Sequence, residues 1–263
     1  MDEPFLSIEN LFGGYGKEPV INGVSLRVAQ KDFLGIIGPN GSGKTTLLRL
    51  VSRTLQPLKG EILLQGNNIR ALGLKQFCRK AAFVPQDILV NFSFSVREIV
   101  LMGRIPHLSR LQAETKKDLS AAQEAMELTD TARLAQKRIN CLSAGERQMV
   151  FIARSLCQQP DLLLLDEPTS HLDIGHQIQA LDLLRRLNRN YGLTIIAVLH
   201  DLNLASQYCN RLALMREGRI FLEGTPEEVL TYQNIEAVYK TVVVVNKNPL
   251  NQKPYMFLVP GEN

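Results

Sequence analysis

Gly38-Pro39-Asn40-Gly41-Ser42-Gly43-Lys44-Thr45, followed by Thr46, fits the pattern G-x-x-x-x-G-K-[ST]. Each residue type in it suits polyphosphate chemistry. Glycines let the backbone bend tightly and turn its N–H groups inward around phosphate oxygens. A helix opening at Lys44 would add the positive end of its dipole. The Lys44 ammonium would reach the β- and γ-phosphates, and the Thr45 hydroxyl would ligate Mg²⁺. From average residue usage the pattern arises by chance in roughly 1% of chains of this length, so its setting must support it.

A second chemical group stands far downstream. Leu162-Leu163-Leu164-Leu165 runs into Asp166-Glu167, with Pro168 closing the segment. Phosphoryl transfer needs an anion to hold the metal and a base to orient water. Asp166, at the end of a buried strand, suits the metal through its water shell. Glu167, one position on, suits a base acting on water beside the γ-phosphate. An acidic turn after a strand would explain the pair equally well if the phosphate loop were absent.

The elements that must position these groups read as α/β. Phe5–Leu11 and Val20–Val28 look like strands, broken at Gly13-Gly14. Phe33–Ile37 is a short apolar strand, the glycine loop follows, and Lys44–Leu55 has helical spacing. Glu61–Gln65 and Ala81–Pro85 are further strands. From Ser95 to Gln159 the β signal fades and helical segments succeed one another, Ala113–Leu128 among them, which suggests an inserted helical lobe. Ile174, Ile178, Leu181, Leu184 and Leu187 share one face of a helix. Thr194–Leu199 is a buried strand, and Arg211–Glu223 a hairpin turning at Glu217-Gly218. Thr225-Pro226-Glu227-Glu228 opens a helix with a capping box. In the tail, a valine run and Tyr255–Val259 pair as an edge hairpin about Asn248-Pro249.

Composition narrows the classes. The 263 residues are 45% hydrophobic and 21% charged, which excludes disorder as the main state. The net charge of +4 is too mild to favour a nucleic-acid binder. No run of about 18 apolar residues is present to span a membrane. The acidic start, Met1-Asp2-Glu3-Pro4, gives no signal peptide to expect. Cys78, Cys141, Cys157 and Cys209 lack metal-ligand spacing and read as reduced packing residues.

One more segment completes the pattern. Leu142-Ser143-Ala144-Gly145-Glu146 lies upstream of the acidic strand. With the phosphate loop and Asp166-Glu167 in this order, the chain resembles the ATP-binding-cassette ATPases over about residues 5–240. Leu142–Glu146 is similar to that family's LSGGQ signature. Ala144 and Glu146 depart from its first glycine and its glutamine, while Gly145 keeps the second glycine. Ser143 and Glu146 also read as a capping box, and the two readings are compatible.

The resemblance implies a P-loop NTPase fold: a RecA-like core, an N-terminal antiparallel β subdomain and an inserted helical subdomain at about 90–160. It implies a single nucleotide-binding domain over 1–240 and a tail over 241–263. Tyr15 then matches the residue stacking on adenine, Gln86 the glutamine that senses Mg²⁺, Asp173 the segment crossing a dimer interface, and His200 the histidine on the γ-phosphate. The cofactors implied are ATP and Mg²⁺. The active form implied is a head-to-tail homodimer, in which Gly38–Thr46 of one chain and Ser143–Glu146 of its mate enclose each ATP.

Gly103-Arg104-Ile105-Pro106-His107, Asp166–Asp173 and Leu199–Ala205 are most similar to the subfamily serving importers of iron-siderophore, haem or cobalamin. That implies separate membrane permease subunits, an extracytoplasmic substrate-binding protein, and a peripheral place on the cytoplasmic face of the inner membrane. The surface around Phe92–His107 would receive the permease, and an exposed apolar loop of Phe92, Phe94 and Val96 would fit that interface, although simple core packing explains these three residues equally well. His107 has no second ligand at a suitable spacing, which leaves a metal-ligand role unsupported. A soluble cassette acting on nucleic acid or ribosomes, or an exporter subunit, are the alternatives. Gln86 and Leu142 are only 56 positions apart, which leaves no room for the coiled coil of the DNA-repair members.

Overall fold

A computed structural model describes residues 4–16, 18–86, 93–109 and 112–259. The chain divides into two compact units, Met1–Arg70 with Ile196–Asn263, and Ala71–Ile195.

The first unit opens with β1 (Leu6–Gly13) and β2 (Ile21–Val28), an antiparallel pair, and continues through β3 (Phe33–Ile37) and α1 (Lys44–Val51) to β4 (Lys59–Leu64) and β5 (Asn67–Asn68). β1 also pairs with β4, so β2, β1, β4 and β5 form one antiparallel sheet. Its inward residues are apolar and its outward ones polar, the alternation of a half-solvated sheet. β3 differs: all five residues are buried, as a strand covered on both faces must be. The helix after the glycine loop ends at Val51 rather than Leu55, because Arg53 takes a left-handed φ of 62°.

The second unit contains α2 (Leu74–Lys80), β6 (Ala81–Val84), α3 (Val96–Leu101), α4 (Lys116–Leu128), α5 (Ala144–Cys157), β7 (Leu162–Asp166) and α6 (Ile174–Tyr191). β6 and β7 run parallel. α3, α4 and α5 pack on one another and form the helical lobe. Ser95 with Glu98 and Thr115 with Asp118 are capping boxes that fix the starts of α3 and α4. That places the start of α4 at Lys116, three residues after Ala113. Val96 is fully buried and Phe94 half-buried, so of the two readings of this segment core packing holds at Val96; Phe92 lies outside the described residues. Of the five residues expected on one face of α6, Leu181, Leu184 and Leu187 are buried, whereas Ile174 and Ile178 are exposed. Ala180 and Leu183 complete the buried stripe instead.

β8 (Thr194–Val198) returns the chain to the first unit, which ends with α7 (Leu202–Tyr208), β9 (Arg211–Arg216), β10 (Arg219–Gly224), α8 (Pro226–Val229), α9 (Tyr232–Tyr239), β11 (Val243–Lys247) and β12 (Pro254–Leu258). β9 lies parallel to β3 and antiparallel to β10. The turn between β9 and β10 puts Glu217 and Gly218 at φ of 50° and 75°, the left-handed pair a tight hairpin needs. β11 and β12 form a separate two-stranded sheet that packs on α7. No helix among the described residues is long and apolar enough to cross a membrane.

Candidate functional site

The glycine loop joins β3 to α1. Its residues Gly38, Ser42, Gly43, Lys44 and Thr46 are buried, Pro39 and Thr45 are partly covered, and Asn40 and Gly41 are exposed. The Lys44 ammonium is folded back into the loop, donating to the carbonyls of Gly38 at 2.8 Å and Pro39 at 3.0 Å. A cation buried this deeply must keep such partners. Gly38 has no space for a side chain: a Cβ there would fall 2.3 Å from the Met215 carbonyl oxygen and 2.8 Å from Ser42 Oγ. Gly43 caps α1 in a left-handed conformation, and no side chain caps this helix. The Ser42 hydroxyl is buried with no hydrogen-bond partner among the described residues. A glycine loop closed at Gly38, a held ammonium and a hydroxyl without a partner among the described residues at a helix start fit a polyphosphate.

Three more residues of the first unit are candidates for the same chemistry. Tyr15 is 61% exposed, and its hydroxyl accepts from Arg49 Nη1 at 3.0 Å. The Arg49 guanidinium also lies 5.8 Å from the Tyr15 ring centre, leaving a flat aromatic surface open to solvent. His200 is exposed just past β8, ahead of Asp201, which caps α7 by accepting from the N–H groups of Asn203 and Leu204. Tyr239, at the end of α9, hydrogen-bonds the backbone of Gly38, and burial pushes its phenol pKa upward. Nothing local in sequence marks Tyr239, since its partner is some 200 positions away.

The second unit holds the acids. Asp166 is the buried end of β7, 2% exposed, and Glu167 follows it at a positive φ of 50°. That turn sends Glu167 off the strand line. Its carboxylate accepts from Gln86 Nε2 at 2.6 Å, across 81 positions of sequence. A carboxylate can only accept, so the amide nitrogen must face it, and the amide oxygen is the atom a hard cation would take.

The signature turn starts α5. Ser143 Oγ accepts from Glu146 N–H at 3.2 Å, and Glu146 Oε2 accepts from Ser143 N–H at 3.0 Å. The second bond holds the Glu146 pKa below the usual carboxylate range, with help from Lys137 and Arg133. Glu146 therefore performs the capping a glutamine would perform at that position. Ser143 and Ala144 are exposed and Gly145 is buried. Asp173 caps α6, and its pKa is lowered by the His176 backbone N–H and ring.

The stretch Gly103–His107 is structural. Arg104 is buried, and donates to Asp118 at 2.9 Å, to the Cys157 carbonyl at 2.8 Å and to Gln159 at 3.0 Å. His107 Nε2 is 2.9 Å from the Gln158 carbonyl oxygen, and burial lowers its pKa. Among the described residues no group of His, Cys, Asp or Glu is set to hold a metal by itself. The four cysteines are free, and burial raises Cys157 and Cys209 to about 12, where a thiol is inert.

Comparison with known proteins agrees with these features. The sequence profile of the ABC transporter family matches residues 21–170. The chain is 44% identical over 259 residues to the uncharacterized ABC transporter ATP-binding protein YvrA of Bacillus subtilis, covering 98% of this chain and 59% of that protein. It thus spans about three fifths of that relative's length. It is 39% identical over 246 residues to the ferric enterobactin transport ATP-binding protein FepC of Escherichia coli, covering 94% of this chain and 91% of FepC. The structure resembles the inward-facing form of a proposed metal-chelate type ABC transporter, with a TM-score of 0.85 and 29% identity over 99% of this chain and 98% of that one. The chain belongs to the ABC transporter family, as one of its ATP-binding subunits, and its fold is that of a P-loop NTPase.

Proposed function

We propose that this chain is the ATP-hydrolysing motor of an importer, working as a head-to-tail homodimer beneath separate membrane permease subunits. The cargo proposed is a metal chelate of the iron-siderophore, haem or cobalamin kind, delivered by an extracytoplasmic binding protein. The subunit would lie peripherally on the cytoplasmic face of the inner membrane, without nucleic acid as a partner. Residues 1–240 would act as one nucleotide-binding domain, with a helical subdomain at about 90–160 and a tail over 241–263. The observation that carries the reading is the Gln86–Glu167 hydrogen bond. It joins a metal-sensing amide to a candidate base in a chain that also holds the phosphate loop and signature turn.

Each residue has a distinct task in this reading. Tyr15 stacks on adenine. The backbone N–H groups of the loop Gly38–Thr46, Pro39 aside, enclose the phosphates, and Lys44 neutralises them. Thr45, Gln86 and Asp166 would hold Mg²⁺, which when bound offsets the charge developing on the phosphate oxygens. Glu167 orients the attacking water and accepts its proton. His200 donates to the γ-phosphate. Ser143, Ala144, Gly145 and Glu146, with Asp173, complete the site of the partner. Most of the rate then comes from positioning and preorganised charge.

The test is co-purification. The tagged chain is expressed in its native host, membranes are extracted in mild detergent, and stoichiometric partners are identified. A polytopic membrane protein with ATPase activity in the complex is the expected result, and transport into sealed vesicles fixes direction. ATPase activity confined to the soluble fraction with ribosomes or nucleic acid would overturn the importer reading.

A further inference from the structure

The signature turn and the segment at Asp173 are joined by a residue that neither motif contains. His176 is in the first turn of α6, three positions after Asp173. Its backbone N–H donates to Asp173 Oδ1 at 2.9 Å, and its ring Nδ1 meets Asp173 Oδ1 at 2.9 Å and Oδ2 at 2.8 Å. A carboxylate is an acceptor only, so Nδ1 carries the proton in this contact. The other side of the ring covers Gly145. A Cβ at Gly145 would fall 2.2 Å from His176 Cδ2, 2.5 Å from Cγ and 2.8 Å from Nε2. No real side chain tolerates such distances, so residue 145 can be only glycine while the ring is there.

We propose that His176 is a positioning residue that locks the signature turn and the Asp173 carboxylate into one surface for the partner's nucleotide. Gly145 is glycine because the ring fills the space a side chain would need. Ser143 and Glu146 close their own turn, and Asp173 is held by two donors from one residue, so neither segment requires another partner to keep its shape. The imidazole lies between them and fixes their spacing at this point. Without it, Asp173 would keep the N-cap bond but lose the ring that fixes its second oxygen. The proposal rests on the dimeric ATPase reading, since only there do both segments face one nucleotide.

The experiment measures steady-state ATPase, affinity for a fluorescent ATP analogue, and melting temperature of the purified full-length chain. His176→Ala is expected to lower kcat about tenfold with analogue affinity unchanged, because the phosphate loop is untouched. His176→Asn, which keeps an N–H near the Nδ1 position, should recover most of that loss. Gly145→Ala should be inactive, and the double variant Gly145→Ala/His176→Ala at least about threefold more active than Gly145→Ala, because removing the ring clears the clash. A His176→Ala variant with wild-type kcat, or a double variant no better than Gly145→Ala, overturns the proposal. Should His176→Ala fail to fold, His176→Leu, which covers Gly145 but cannot donate, decides the matter: wild-type kcat rejects the positioning role. Failure of the underlying ATPase reading looks different, because wild-type chain and Glu167→Gln would then have the same activity.

Discussion

Two helices of this chain begin at segments proposed to meet phosphate, and they begin in opposite ways. α1 opens from Gly43 in a left-handed conformation with no side-chain cap, next to a buried serine hydroxyl without a partner among the described residues. α5 opens from Ser143 with a complete capping box, so the N–H groups of Ser143 and Glu146 are already engaged by its own side chains. In the proposed function the phosphate loop is thus left to be finished by a ligand of its own chain. The signature turn is finished beforehand and presents a stable face, as suits a surface that waits for another molecule's nucleotide. The difference teaches that one property, the positive end of a helix, can serve as a binding cradle or as a ready-made lid. What decides is whether the chain caps the helix itself.

The sharpest way to break the comparison is to disable the cradle alone. Lys44→Ala removes the buried ammonium from the loop, and its ATP binding should fall by at least about a hundredfold, with hydrolysis undetectable. Equilibrium binding of radiolabelled ATP checks it. Near wild-type affinity would mean that the loop does not hold the phosphates. Glu167→Gln separates binding from chemistry. It should bind ATP as the wild type does, hydrolyse it about 10² to 10⁴ times more slowly, and form an ATP-dependent dimer on gel filtration. Brisk turnover would remove Glu167 from the role of base. The amide at 167 can still bond to Gln86, so melting should barely move.

Much of this was legible beforehand, and the reasons are local. The glycine loop, the acid pair and the Ser143–Glu146 box are each written within a few consecutive residues. β3 matched its apolar run residue for residue, as did the turn at Glu217-Gly218. What was not legible depends on distant partners. Gln86 bonding to Glu167, Tyr239 reaching Gly38 and His176 covering Gly145 are contacts between elements far apart in sequence. The isoleucines of α6 show the same limit from the other side. Periodicity put Ile174 and Ile178 in the apolar stripe, but in the first turns of that helix the stripe is left largely to solvent and both are exposed. Arg104 is instructive too. In sequence it belonged to a stretch shared with a transporter subfamily, and in the fold it pins α4 to the end of α5.

A smaller effect sharpens the comparison of helix starts. Ser143→Ala and Thr225→Ala delete the same hydroxyl from equivalent capping boxes, at α5 and α8. Each should cost about 1 kcal/mol of stability, seen as a few degrees in melting temperature. Only Ser143→Ala should also lower ATPase activity, by about tenfold, because only that turn is read by the partner's nucleotide. Equal activity in the two variants would mean that the α5 box is a cap and nothing more.

The smallest expected effect tests whether the lobe bearing the ready-made lid can be loosened by itself. Asp118 is buried against Arg104 at 2.9 Å. Its pKa is lowered from 3.8 to about 2, chiefly by the Thr115 hydroxyl and backbone N–H and then by Arg104. A carboxylate whose folded pKa is depressed contributes stability that is complete above its unfolded value. That contribution is lost as pH falls through the folded value. The lobe should thus hold at neutral pH and weaken between about pH 4 and about pH 2. Asp118→Asn imitates the protonated form, so its melting temperature should lie below wild type at pH 7, and the gap should narrow steadily over that window. Calorimetry of both chains from pH 7 to pH 2.5 reads the gap directly. A gap that stays constant with pH would show that the Asp118 charge does not pin the lobe, and that its hydrogen-bonding shape alone does.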